Sequence, residues 1–360
     1  MLLLNPGPVT LSERVRRSML GPDLCHRESE FFDLQEEVRR RLLAVYDIDP
    51  GEWCAVLLTA SGTGAVESMV STLVPQEGRV LVAENGVYGE RIAQICARYR
   101  ISFERMTGDW LGALDLSGIA RRVQNAPDDG GGRFTHIAVV HHETTTGRLN
   151  DLRPLAELCR QHGVKLLVDA VSSFGAEALD FTDESVAGVA AAANKCLHGV
   201  PGVAFVVVRR RALERAVSRT YYLDLARSAA AQERRDTPFT PAVQAHYALL
   251  EGLREHAEEG GCPARHRRYA ALAEQVRAGF ARLAIAPAVP PEESSVVLRS
   301  YRVPARASYA ELHDGLKDRG FVIYAGQGNL SAKLFRISTM GAVSAGDIDR
   351  LLECCGELLR

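Results

Sequence analysis

The sequence has no apolar stretch approaching the roughly 20 residues that a bilayer-spanning helix needs, so a membrane span is excluded from its reading. The opening Leu2-Leu3-Leu4 is cut off by Asn5-Pro6-Gly7-Pro8, too early for the apolar core of a signal peptide, and a cytoplasmic location is expected. Net charge is also scarce. The formal value is −2, which argues against nucleic acid or an anionic membrane as partner. Local arginine clusters, Arg209-Arg210-Arg211 and Arg265-His266-Arg267-Arg268, read as solvated faces or, alternatively, as sites for acidic partners. The eight cysteines, Cys25, Cys54, Cys96, Cys159, Cys196, Cys262, Cys354 and Cys355, include no Cys-x-x-Cys pair. That spacing excludes a zinc-type cysteine site, and a chain this long needs no disulfide staples. Free thiols in a reducing compartment are expected, with no metal. Internal repeats and low-complexity tracts are absent too.

What is present is an ordinary globular composition, 46% apolar and 24% charged over 360 residues. That length suits one large domain and a smaller one. Buried strands are expected at 55–59, 79–82, 136–141, 165–169 and 202–208, where β-branched runs are bounded by glycine or polar turns. Helical patterns fall between them at 64–73, 91–100, 116–124 and 152–163. Such alternation predicts an α/β fold, a mostly parallel sheet flanked by helices, with its chemistry at the carboxyl ends of the strands. Asp128-Asp129-Gly130-Gly131-Gly132 reads as a surface loop. Composition changes near 258–263, before a helical stretch to Leu283. Beyond it, apolar segments at 295–299, 322–324 and 334–337, with helices near 309–319 and 345–359, suit a small C-terminal α+β domain. The expected division is an N-terminal segment 1–20 packing near the active site, a large domain 21–255 and a small domain 256–360.

Three features carry chemistry. Lys195, in Ala193-Asn194-Lys195-Cys196-Leu197-His198-Gly199, follows an almost wholly small, apolar run and should emerge from a buried strand. A desolvated amine is what Schiff-base chemistry requires, although a lysine reaching out to solvent would read the same. Asp169 ends the apolar run Leu166-Leu167-Val168, where a carboxylate caps a helix, binds a metal or pairs with a cofactor cation. The small turn Thr59-Ala60-Ser61-Gly62-Thr63-Gly64, between strand and helix, can aim N–H groups and hydroxyls at a phosphate. It lacks a Walker lysine and the G-x-G-x-x-G spacing, and ordinary capping by Ser61 or Thr63 accounts for it equally. Phosphate cup, strand-end acid and lysine, in that order, are the layout of a fold-type I pyridoxal 5'-phosphate (PLP) enzyme.

Over essentially its whole length the chain resembles the class V aminotransferases. The likeness rests on Asn5-Pro6-Gly7-Pro8-Val9-Thr10, Ser61-Gly62-Thr63-Gly64, Asn85-Gly86-Val87-Tyr88-Gly89-Glu90-Arg91 and His142-Glu143-Thr144-Thr145-Thr146-Gly147. It continues through Val168-Asp169-Ala170-Val171-Ser172-Ser173, Asn194-Lys195-Cys196, Gly199-Val200-Pro201-Gly202 and Phe335-Arg336-Ile337-Ser338. Within the class it is most similar to the branch that transaminates 2-aminoethylphosphonate with pyruvate.

The resemblance implies the PLP-dependent transferase fold type I. It makes Lys195 and Asp169 catalytic, the acid holding the pyridine nitrogen protonated, and it places Ser61, Gly62, Thr63 and Asn194 at the phosphate. Tyr88 and Val171 fall at the ring, Thr144 near the phenolic oxygen or the substrate, and Arg336, with Gly7 and Thr10, at the substrate. Thr240, or its rival Thr237, would reach the phosphate of a neighbouring subunit, so a homodimer with shared sites is expected. An alanine– or serine–glyoxylate aminotransferase shares nearly all these residues, and His26-Arg27-Glu28-Ser29-Glu30-Phe31 resembles that branch. A cysteine desulfurase would need a mobile-loop cysteine, for which Cys262 beside Gly260-Gly261 is the candidate. From another class, a non-catalytic PLP-binding homologue would also keep the cofactor residues.

Overall fold

A computed structural model describes residues 1–126 and 132–360. Of the expected glycine-rich loop, residues 128–131 lie outside the described residues. Seven strands form the main sheet in the spatial order Trp53–Leu58, Ala204–Arg209, Val186–Ala192, Lys165–Asp169, His136–Val140, Arg79–Glu84 and Ser102–Thr107. Neighbours run parallel except Ala204–Arg209, which is antiparallel to both of its neighbours. The reason is in the connections. Helices Gly62–Leu73, Val87–Arg98, Leu116–Asn125 and Arg153–His162 each carry the chain back for another parallel strand, whereas residues 193–203 make only a short return.

The sheet is apolar on both faces because helices cover both. Leu57, Leu81, Ile137, Leu166 and Phe205 pack to one side, with Phe31, Trp53 and Phe174. Alternate residues Val56, Val82, Ala138, Leu167 and Val206 pack to the other, against Val66, Met69 and Ile92. Ser102–Thr107 is the exception, half exposed at the sheet's edge. Its Glu104 pairs with Arg79 and Arg122, a charged edge of the kind that discourages further pairing. The polar sequence of that strand hid it from the apolar pattern.

The C-terminal region has its own core. Leu298–Arg302, Leu334–Ser338 and Tyr324–Ala325 form an antiparallel sheet, packed on helices Gly261–Arg282, Tyr309–Asp318 and Ala345–Leu358 through Phe280, Tyr301, Phe335 and Ile348. The expected strand at 295–299 begins only at Leu298, because Ser295 and Val296 are held by the Glu177 carboxylate instead of a neighbouring strand. Leu2–Leu3 pairs in parallel with Phe321–Val322, and Leu4 is buried in the C-terminal core. This anchorage lets the following Pro6-Gly7 reach across to Lys195. No helix among the described residues is long and apolar enough to cross a membrane.

Candidate active site

The carboxyl ends of the central strands converge, as the parallel topology requires. Asp169 is the last residue of Lys165–Asp169 and only 7% exposed. Its Oδ1 accepts the Val171 N–H at 2.9 Å, while Oδ2 accepts from no donor among the described residues. Burial pushes its carboxyl up to about 7; the Val171 N–H opposes the rise and the nearby Glu143 adds to it.

Lys195 lies three residues beyond strand Val186–Ala192, in a turn closed by His198 N–H to Lys195 O (3.0 Å) and Gly199 N–H to Ala193 O (2.8 Å). The half-buried amine donates to the Pro6 carbonyl. Gly7, at φ +102°, leaves the space this needs, since a Cβ there would lie 2.6 Å from Nζ. Burial pulls the amine down to about 8; Cys196 and Asp169 raise it, whereas the like charges of Arg336 and Arg91 lower it further. The acid and both arginines therefore lie within electrostatic reach of the lysine.

The Ser61-Gly62-Thr63 turn opens helix Gly62–Leu73, and Ser61 is its N-cap residue, yet the exposed Ser61 side chain makes no capping bond. Capping therefore does not account for the turn, and the first helical N–H groups stay available to an anion. Gly62 packs so tightly on Val171 that a Cβ would meet Cγ1 at 2.6 Å. The Asn194 side chain has no hydrogen-bond partner among the described residues.

Tyr88 sits in the first turn of helix Val87–Arg98, where a residue without an assigned role positions it. The buried Glu143 carboxylate accepts the N–H groups of Tyr88 (3.1 Å), Gly89 (3.4 Å) and Thr145 (3.0 Å). It caps a helix 55 residues away in sequence, so the helix starts at Val87 rather than at residue 91, and no local signal reveals it. Arg336, on strand Leu334–Ser338, is 2% exposed. Its Nε donates to Ala325 O (2.8 Å) and Nη1 to Thr144 O (2.9 Å) and Gln327 Oε1 (3.3 Å). Gln327, whose Oε1 also accepts from the Thr145 hydroxyl at 3.5 Å and so bridges it to Arg336, has no signal in the sequence either.

Other expected residues stand apart. The Thr10 hydroxyl accepts the Leu3 N–H at 2.8 Å, and Thr10 O accepts the Ala342 N–H at 2.8 Å, so Thr10 ties the N-terminal segment in place. Thr240 is exposed, and no hydrogen bond joins it to the cleft among the described residues. Thr237 is buried, its hydroxyl spent on Phe239 O at 3.0 Å. Cys262, the loop cysteine a desulfurase would need, lies buried in the first turn of helix Gly261–Arg282, with its thiol pKa raised by burial. A thiol so placed is not a ready nucleophile. Of the other cysteines, Cys25 is exposed and Cys354 partly so, and all eight are free.

Known proteins resemble the chain along its whole length. The family model "Aminotransferase class-V" covers residues 21–351. The chain is 35% identical to 2-aminoethylphosphonate–pyruvate transaminase of Pseudomonas aeruginosa, over 100% of this chain and 96% of that one. Among solved structures, alanine–glyoxylate aminotransferase of Nostoc sp. superposes with TM-score 0.91 at 25% identity, covering 100% of this chain and 95% of that one. An aspartate aminotransferase of subgroup IV from Thermus thermophilus gives TM-score 0.89 at 28% identity, covering 100% and 99%. The chain belongs to the class V aminotransferases. It is thus an aminotransferase rather than a non-catalytic homologue, and its cofactor is PLP. The residues present suit that group, for they offer an uncapped helix start to a phosphate and an unpartnered oxygen of a buried carboxylate to a ring nitrogen. A lysine amine of lowered basicity stands ready for the aldehyde carbon.

Proposed function

We propose that this chain transfers the amino group of 2-aminoethylphosphonate, or a close aminophosphonate, to pyruvate, releasing phosphonoacetaldehyde and alanine. The observation that carries this reading is Arg336. Its guanidinium is buried, its three hydrogen bonds go only to uncharged oxygens, and Nη2 has no partner among the described residues. A permanently charged fork held this way can take a phosphonate in one half-reaction and a carboxylate in the other. The Pseudomonas relative supports the aminophosphonate as donor. The second reading, an alanine– or serine–glyoxylate exchange, has the Nostoc neighbour in its favour.

PLP, when bound, supplies the electron sink that eases loss of a proton from the donor's amino-bearing carbon. Ser61, Gly62, Thr63 and Asn194 would hold its phosphate. Tyr88 and Val171 would hold its ring, and the Thr144 hydroxyl would serve the phenolic oxygen or the substrate. Asp169 would keep a proton on the ring nitrogen. Lys195 Nζ, neutral in a sizeable fraction near pH 8, takes the proton from the donor's carbon in the first half-reaction and delivers one to the pyruvate carbon in the second. Pro6 and Gly7 close over Lys195 and exclude water. Thr240 reaches the partner's phosphate in a homodimer, a reading favoured by its exposure and by the exposed aromatics Tyr221 and Tyr222 beside Phe239.

The test is a donor screen on purified, PLP-loaded protein, following conversion of the cofactor to its pyridoxamine form. Rapid conversion by 2-aminoethylphosphonate, with serine, alanine and taurine slow, is expected. Conversion only by serine or alanine would move the protein to the glyoxylate branch and take the phosphonate away from Arg336.

A further inference from the structure

The mechanism above leaves Arg91 unused, although its guanidinium touches two parts of the cleft. Tyr88 and Arg91 are three residues apart on helix Val87–Arg98 and so share a face. The guanidinium carbon lies 4.7 Å from the centroid of the Tyr88 ring. Nη1 donates to Thr63 Oγ1 at 3.0 Å. Arg91 pairs with no carboxylate among the described residues. Resting on the cup and ring assignments of the preceding section, we propose that Arg91 is a positioning residue that fixes the Thr63 hydroxyl and braces the Tyr88 ring, so that phosphate and ring of the cofactor are gripped together.

A guanidinium can only donate, whereas a threonine hydroxyl has one proton and two lone pairs. Arg91 therefore occupies a lone pair of Thr63 Oγ1, and the hydroxyl proton must point elsewhere. It goes to no other acceptor among the described residues, which leaves it for the anion at the start of helix Gly62–Leu73. On the ring, a guanidinium over one face of Tyr88 restrains its tilt and leaves the opposite face for stacking. The same charge lowers the Lys195 amine and opposes the rise at Asp169, so Arg91 belongs electrostatically to the cleft.

The test measures affinity rather than turnover. Cofactor-free protein is titrated with PLP and with pyridoxal, which lacks the phosphate, in the parent, Arg91→Gln, Arg91→Lys, Thr63→Val and the Arg91→Gln/Thr63→Val double variant. Losing one oriented, charge-supported hydrogen bond should weaken PLP by about tenfold or more in Arg91→Gln. Pyridoxal should change far less. Arg91→Lys should fall between, since it keeps the charge and loses the planar fork. The double variant should be no weaker than the worse single one, because both remove the same oriented hydroxyl. Equal weakening of both ligands, additive losses, or an unchanged PLP affinity in Arg91→Gln would overturn the proposal. Thr63→Val without effect would sink the phosphate-cup reading itself. An effect there with none at Arg91 sinks only the role of Arg91. A melting midpoint for each cofactor-free variant shows whether it folds, and if Arg91→Gln does not, Arg91→Lys against the two ligands decides.

Discussion

The depressed basicity of Lys195 predicts how fast the protein captures its cofactor as pH is varied. Only the neutral amine attacks an aldehyde, so the rate follows the unprotonated fraction. Burial brings this amine to about 8. At pH 7.5 that leaves roughly 200 times more neutral amine than a lysine at the usual 10.4 or so would have. The assay mixes cofactor-free protein with PLP in a stopped-flow instrument between pH 6 and 10, with a free amine as control for the cofactor's own titration. The corrected rate should rise about tenfold per unit at low pH and level off above about 8. The neighbouring charges fix the direction of two further shifts. Arg336→Gln removes a like charge and should move the midpoint up; Asp169→Asn removes an opposite charge and should move it down. A rate still climbing tenfold per unit through pH 10, or both variants moving the midpoint the same way, would refute the reasoning.

Other consequences concern packing and binding. Gly62→Ala would drive a methyl group to 2.6 Å from Val171 Cγ1, an overpacking of about 1–3 kcal/mol. It should lower the melting midpoint and PLP affinity, and adding Val171→Ala should restore the midpoint; no rescue would mean the clash lies elsewhere. Glu143→Ala strands the amides of Tyr88, Gly89 and Thr145. At about 1–3 kcal/mol for each buried group left unsatisfied, the thermal midpoint should drop clearly, and an unchanged midpoint would deny Glu143 its capping role. Arg336→Gln should reduce kcat/KM for both the phosphonate donor and pyruvate by about tenfold or more, the value of a lost charge-assisted bond. A loss confined to one substrate would show that the other anion binds elsewhere.

Sequence periodicity located most of the sheet because its central strands are apolar on both faces. Lys165–Asp169 was legible to the residue, a buried run closed by a carboxylate. Ser102–Thr107 was not, since an edge strand with charged partners carries no apolar pattern. Lys195, Asp169 and Arg336 stood out by motif and order along the chain, and the fold brings Asp169 and Arg336 within electrostatic reach of Lys195. Glu143 and Gln327 did not, because their partners Tyr88 and Thr145 lie far away in sequence. Arg91 was half legible, since its spacing from Tyr88 puts both on one helix face while the bond to Thr63 is purely tertiary. Thr10 is a motif residue whose hydroxyl also accepts a bond within the N-terminal segment, from the Leu3 N–H.

Product analysis is the sharpest check on the identity of the exchange. PLP-loaded protein would be supplied with 2-aminoethylphosphonate and either pyruvate or glyoxylate, and alanine, glycine and phosphonoacetaldehyde would be quantified. The account predicts alanine and phosphonoacetaldehyde formed in equal amounts with pyruvate, and little glycine with glyoxylate. Glycine formed from glyoxylate with serine or alanine as donor, and no phosphonoacetaldehyde under any condition, would contradict it.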